Sequence, residues 1–137
     1  MNERDVQIVF SSTQKQEMTS DKQEQTYPGK RYEENGTQCL SFRETSRDGN
    51  EVITTVIVSK DGVMIKRSGG ITSEMHFASD ETTDFVHESA LGRLPFSIHT
   101  KELVHSITPS EFSVQIIYDL IHYDAVVSTN TISLVAI

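Results

Sequence analysis

Residues 51–70, EVITTVIVSKDGVMIKRSGG, decide the fold. Val52, Val56 and Val58 fall on one side of an extended chain and Ile53 and Ile57 on the other. Asp61-Gly62 then turns the chain before Val63 and Ile65 resume the alternation. β-Branched residues at a period of two, interrupted by a glycine turn, specify paired antiparallel strands. Gly69-Gly70 closes the second run, and the pattern continues outward in both directions. Downstream, strands are predicted at 71–78, 83–89, 93–102, 104–108, 111–120 and 126–136. Upstream, Asn35-Gly36 joins 31–34 to 37–44 as a hairpin, because both residues tolerate the positive φ of a tight primed turn. Residues 5–12 alternate with Val6, Ile8 and Phe10 facing the core.

Residues 13–30 read differently. Met18 and Tyr27 are their only sizeable apolar groups, so a solvated edge-strand pair or a long loop is expected, ended by a turn at Tyr27-Pro28-Gly29. No apolar 3.6-residue stripe persists for three turns, which leaves room for at most one helical turn near 80–84. About eight to ten short strands favour an all-β chain closed as an antiparallel up-and-down barrel, with a two-sheet sandwich as the alternative.

The 137 residues fit one domain, spanning 1–137, that folds without disulfides or metal. Asp and Glu number 20 against 12 Lys and Arg, a formal charge of -8 with no basic face, which argues against nucleic acid as a partner. The polar start, Met1-Asn2-Glu3-Arg4-Asp5, and the lack of any long apolar run suggest a cytoplasmic protein with no membrane partner. The single Cys39 agrees with a reducing compartment and reads as a packing residue rather than a nucleophile.

The functional leads are charged and phenolic groups in phase with core residues. Glu44 shares a face with Leu40 and Phe42, Arg67 with Val63 and Ile65, and Tyr118 with Phe112, Val114 and Ile116. An unpaired buried charge is costly, whereas a guanidinium and a carboxylate can meet through parallel hydrogen bonds. An internal Glu44–Arg67 pair is therefore expected. One reading of these three residues is structural, an ion pair and a phenol that fix register. The other makes Arg67, Glu44 and Tyr118 the polar contacts of a small apolar or amphipathic ligand, with apolar side chains covering its tail.

Other candidates are weaker. The five histidines, at 76, 87, 99, 105 and 122, reproduce no clustered zinc spacing, and His76 and His99 alternate out of phase with their apolar neighbours. Ser68-Gly69-Gly70 reads as a turn or bulge, without the helix and lysine of a phosphate loop. Asp80, Glu81 and Asp84 lack calcium-loop spacing. No nucleophile and base are juxtaposed, so neither an enzyme nor a cofactor is expected.

The run Val63-Met64-Ile65-Lys66-Arg67-Ser68-Gly69, then Met75-His76-Phe77, Gly92, Ile117-Tyr118-Asp119-Leu120 and Asn130-Thr131-Ile132 resembles the YwiB-like family of uncharacterised bacterial proteins. That family belongs to the calycin-like, lipocalin-type β-barrels, so the resemblance implies a closed antiparallel barrel. Phe42 with Glu44, Arg67 with Gly69, and Tyr118 fall where the family pattern has its aromatic-x-Glu, Arg-x-Gly and tyrosine. The resemblance carries over no catalytic residue. Ligand binding within the barrel is the leading expectation. The alternative is a protein-interaction module or homodimer with a filled interior, suggested by the two-sided apolarity of residues 51–60 and by Val127 and Val135 opposite Ile132 and Leu134.

Overall fold

Ten strands form one closed antiparallel barrel in this computed structural model, which describes residues 3–46 and 48–137. Met1 and Asn2, the first part of the polar start, and Arg47 lie outside the described residues. The strands are β1 (Arg4–Gln16), β2 (Thr19–Glu34), β3 (Thr37–Thr45), β4 (Glu51–Ser59) and β5 (Gly62–Gly69). They continue with β6 (Ile71–Phe77), β7 (Thr82–Ser89), β8 (Gly92–Thr108), β9 (Glu111–His122) and β10 (Ala125–Ala136). Each pairs with its sequence neighbour, and β1 pairs with β10 from Ile8↔Ala136 to Lys15↔Thr129. That closure rules out the sandwich. Among the described residues, no helix is long and apolar enough to cross a membrane.

The turns follow local chemistry. Asn35 and Gly36 adopt φ of 53° and 80°, as a primed hairpin turn requires. Where one helical turn was allowed, the chain instead makes a tight turn at Asp80, with φ of 63°, and β7 begins at Thr82. Gly69 adopts φ of 109° against the carbonyl of Glu51, where any side chain would collide. Residues 93–102 and 104–108 are one strand, β8, whose register shifts between Thr100 and Glu102 as it pairs with β9.

The polar segment 13–30 is regular strand. It completes β1 and forms most of β2, paired from Arg4↔Arg31 to Gln16↔Thr19. Backbone hydrogen bonds need only a neighbouring strand, so this hairpin persists although its side chains face water. Tyr27-Pro28-Gly29 is correspondingly no turn but lies within β2. Pro28 nevertheless leaves a mark. Gln7 and Ile137 exchange both backbone hydrogen bonds, at 3.0 and 2.8 Å, so Gln7 turns its backbone groups toward β10. Its partner Pro28 therefore faces β3, and proline has no N–H to donate there. The β2–β3 ladder accordingly runs only from Gly29↔Phe42 to Glu34↔Thr37, leaving the outer edge of β2 unpaired beyond Gly29. A second split separates β6 from β7, which pair only at Ile71↔Ser89 and Thr72↔Glu88.

Inward residues fill the waist. Ile8, Leu40, Val56, Ile98, Phe112, Ile116 and Leu134 are fully buried, each worth about 1.5–3 kcal/mol relative to exposure. The barrel has two ends. The mouth carries the β3–β4, β5–β6 and β9–β10 turns. The base carries the start of β1 and the β2–β3 and β8–β9 turns.

Candidate site at the barrel mouth

Above the apolar waist the inward positions become polar along two rungs of matched register. On one, Thr54 of β4 stands opposite Arg67 of β5, which stands opposite Ser73 of β6. On the other, Thr100 of β8 stands opposite Tyr118 of β9, which stands opposite Asn130 of β10. Thr54, Ser73, Thr100 and Asn130 are buried. Each occupies the inward phase of its own strand, beside Val52 and Val56, Met75, Ile98, or Ile132 respectively. Those phases were legible in the sequence, but a Thr, Ser or Asn carries no formal charge to draw the eye.

Glu44, Arg67 and Tyr118 converge at this level. The Arg67 Nη2 lies 3.5 Å from Glu44 Oε2, and both side chains are largely buried. The Thr54 hydroxyl donates to the same Glu44 oxygen at 2.5 Å, so the carboxylate is held by one charge and one neutral donor. The Arg67 Nε is buried with no hydrogen-bond partner among the described residues. Tyr118 is 8% exposed, and its ring packs edge-on against Phe77 at 5.1 Å. Burial pushes its phenol up to about 12, an effect the nearby Arg67 charge opposes. The hydroxyl therefore stays protonated at neutral pH and can donate. Burial, and next the Glu44 charge, also raise the Tyr27 phenol, whose ring stacks on Phe42 at 5.0 Å beside the β2–β3 split.

These groups line a cavity of about 340 Å³. Arg67, Glu44, Tyr118 and Asn130, with Ser12, Thr13, Gln14 and Gln23 of the β1–β2 hairpin, supply polar lining, and Phe10, Ile65, Met75 and Ile132 supply apolar wall. The cavity can take a molecule with one polar or anionic end and a short apolar body.

The other sequence candidates stand elsewhere. His76 is exposed and lies 3.4 Å from Glu74. His99 Nδ1 lies 2.9 Å from the Thr82 hydroxyl. Among the described residues, no three His, Cys, Asp or Glu side chains converge as a metal site would require. Cys39 is buried, and burial pushes its thiol up, away from the thiolate form. Ile53 is 39% exposed, Val127 42% and Val135 37%, but β4 and β10 lie on well-separated parts of the barrel wall and form no single patch.

No curated protein matches this chain. The crystal structure of the ywiB protein from Bacillus subtilis is similar in fold, with a TM-score of 0.85 over 97% of this chain and 92% of that one, at 22% sequence identity. The family described as Domain of unknown function (DUF1934) matches residues 8–134. Together the closed ten-stranded barrel, the structural likeness and the extent of that match show that the chain belongs to the DUF1934 family of YwiB-like proteins.

Proposed function

We propose that this barrel is a non-catalytic cytoplasmic binding protein that holds one small amphipathic molecule in its mouth. The observation that carries the reading is the convergence of inward Arg67, Glu44 and Tyr118 on one cavity whose apolar wall is Phe10, Ile65, Met75 and Ile132, the rest of its lining being the polar Ser12, Thr13, Gln14, Gln23 and Asn130. Arg67 and the protonated Tyr118 hydroxyl donate to the polar head, while Glu44 and Thr54 keep the guanidinium in place. The volume lies at the lower end of ligand pockets, which suits a body of about ten heavy atoms. A lipocalin-type kinship agrees with binding at a barrel's open end.

Native mass spectrometry of gently purified protein, followed by denaturing extraction, tests this reading. A stoichiometric small molecule on the monomer is the expected result. Octanoate provides a defined challenge: it should raise the melting temperature of the wild type by mass action and not that of Arg67→Met. Equal responses from both proteins would remove Arg67 from the site.

A second reading, pairing between copies, is favoured by the unpaired edge of β2 beyond Gly29. Such an edge can accept another strand through its backbone. A bare dimer in the same spectrum would support it.

A further inference from the structure

The base of the barrel holds two neighbouring arginines that form no ion pair among the described residues. Arg4 of β1 and Arg31 of β2 stand directly opposite in the strand ladder, both in the inward phase. Like charges placed so are destabilising unless something offsets them. Arg31 is only 7% exposed, its guanidinium lying 5.3 Å from the centre of the Phe112 ring. Neither arginine forms an ion pair with a carboxylate among the described residues. The residues outside that description carry no acidic side chain. Glu33, which lines the same space, accepts instead from Gln38 at 2.9 Å, and Glu3 lies 3.9 Å from Lys30. Backbone carbonyls take one donor from each guanidinium: Arg31 Nη2 donates to Thr108 at 2.5 Å and Arg4 Nη2 to Pro109. A guanidinium has five N–H donors, so most have no protein acceptor among the described residues. Burial, and then the Arg4 charge, pull the Arg31 guanidinium below its ordinary value, the direction expected where a counter-charge is missing. The two side chains line a cavity of about 750 Å³ with Tyr32 and Ile107 among its walls, and Glu3 and Glu33 stand at its lining with their carboxylates turned to Lys30 and Gln38.

We infer that this second cavity is an anion site, in which a small organic oxyanion, bearing a phosphate or carboxylate group, binds across Arg4 and Arg31 with its body against Tyr32 and Ile107. The planar forks of two arginines match the oxygens of either group through paired hydrogen bonds. The site lies at the opposite end of the barrel from the mouth and does not depend on the mouth reading.

Thermal unfolding of the full chain, titrated separately with inorganic phosphate, malonate and sodium chloride at matched ionic strength, tests it. Phosphate or malonate at tenfold over its Kd should raise the melting temperature by about 4–6 °C above the chloride curve. Whichever anion acts at the lower concentration names the head group. Arg31→Met risks the fold, so the decisive variant is the exposed Arg4→Gln, in which the apparent Kd should weaken at least tenfold. Arg4→Glu should melt higher than the wild type without added anion and ignore phosphate, because it supplies the missing counter-charge internally. Identical curves in phosphate, malonate and chloride would overturn the site, as would an undiminished response in Arg4→Gln.

Discussion

Burial penalises the phenolate and pushes the Tyr118 phenol up to about 12 in the folded chain, from an ordinary value of 10.0 that it regains once unfolded. A group raised in this way contributes stability that is complete below pH 10 and is lost as pH rises through about 12. Relative to Tyr118→Phe, the wild type should therefore lose about 2–3 kcal/mol over that window. The ultraviolet difference between the two proteins should show a phenol titrating near 12; a midpoint at the ordinary value would show that Tyr118 is hydrated. Arg67 makes a different prediction. Arg67→Met leaves the Glu44 carboxylate largely buried with only the Thr54 hydroxyl, and should destabilise by about 1–3 kcal/mol. Adding Glu44→Gln should restore part of that loss. An unchanged denaturation midpoint in Arg67→Met would show that the pair adds nothing to folding. All three residues were found by strand phase alone, since a pleat of period two fixes which side of the sheet each side chain takes. The same phase places Arg4 with Val6, Ile8 and Phe10, but Arg4 precedes the predicted strand by one residue, so the sequence pattern assigns it no face. Arg31 sat in a predicted four-residue arm too short to assign a face.

Among the strands, β2 is where composition misleads most. Glutamine, lysine and serine cannot anchor a segment by their own burial, yet β1 supplies a full ladder of backbone partners from Thr19 to Arg31. Apolar phase identifies strands with one buried face; it is silent where pairing alone holds the chain. Gly29 shows how tightly β2 is seated. A Cβ there would lie 2.5 Å from Ile8 Cδ1 and 2.6 Å from the Ser41 carbonyl oxygen, so Gly29→Ala should destabilise by about 1–3 kcal/mol. A melting temperature matching the wild type would mean that the backbone yields at this crossing. Pro28 sets where the ladder stops. Replacing it with threonine restores an N–H aimed at β3, opposite Arg43, and should extend the pairing by one rung. Hydrogen exchange would then show slowed amides at residues 28 and 43. No new protection at Arg43 would assign the split to barrel curvature instead of to the missing donor.

Across the whole barrel, the filled waist separates two chemically different ends. The mouth sets a paired arginine and a neutral phenol beside apolar wall, whereas the base sets two arginines against each other with no ion pair to either among the described residues. Between them Ile8, Leu40, Phe112, Ile116 and Leu134 are fully buried and fill the interior. Side chains packed at crystal-like density resist small displacements, so a ligand at one end has no mobile element through which to alter the other. Octanoate and phosphate should therefore stabilise independently. Their combined shift in unfolding free energy should equal the separate shifts to within about 0.5 kcal/mol. Arg67→Met should lose the octanoate response and keep that to phosphate, and Arg4→Gln should do the reverse. If instead either substitution abolishes both responses, the two ends act as one site and the waist must rearrange on binding.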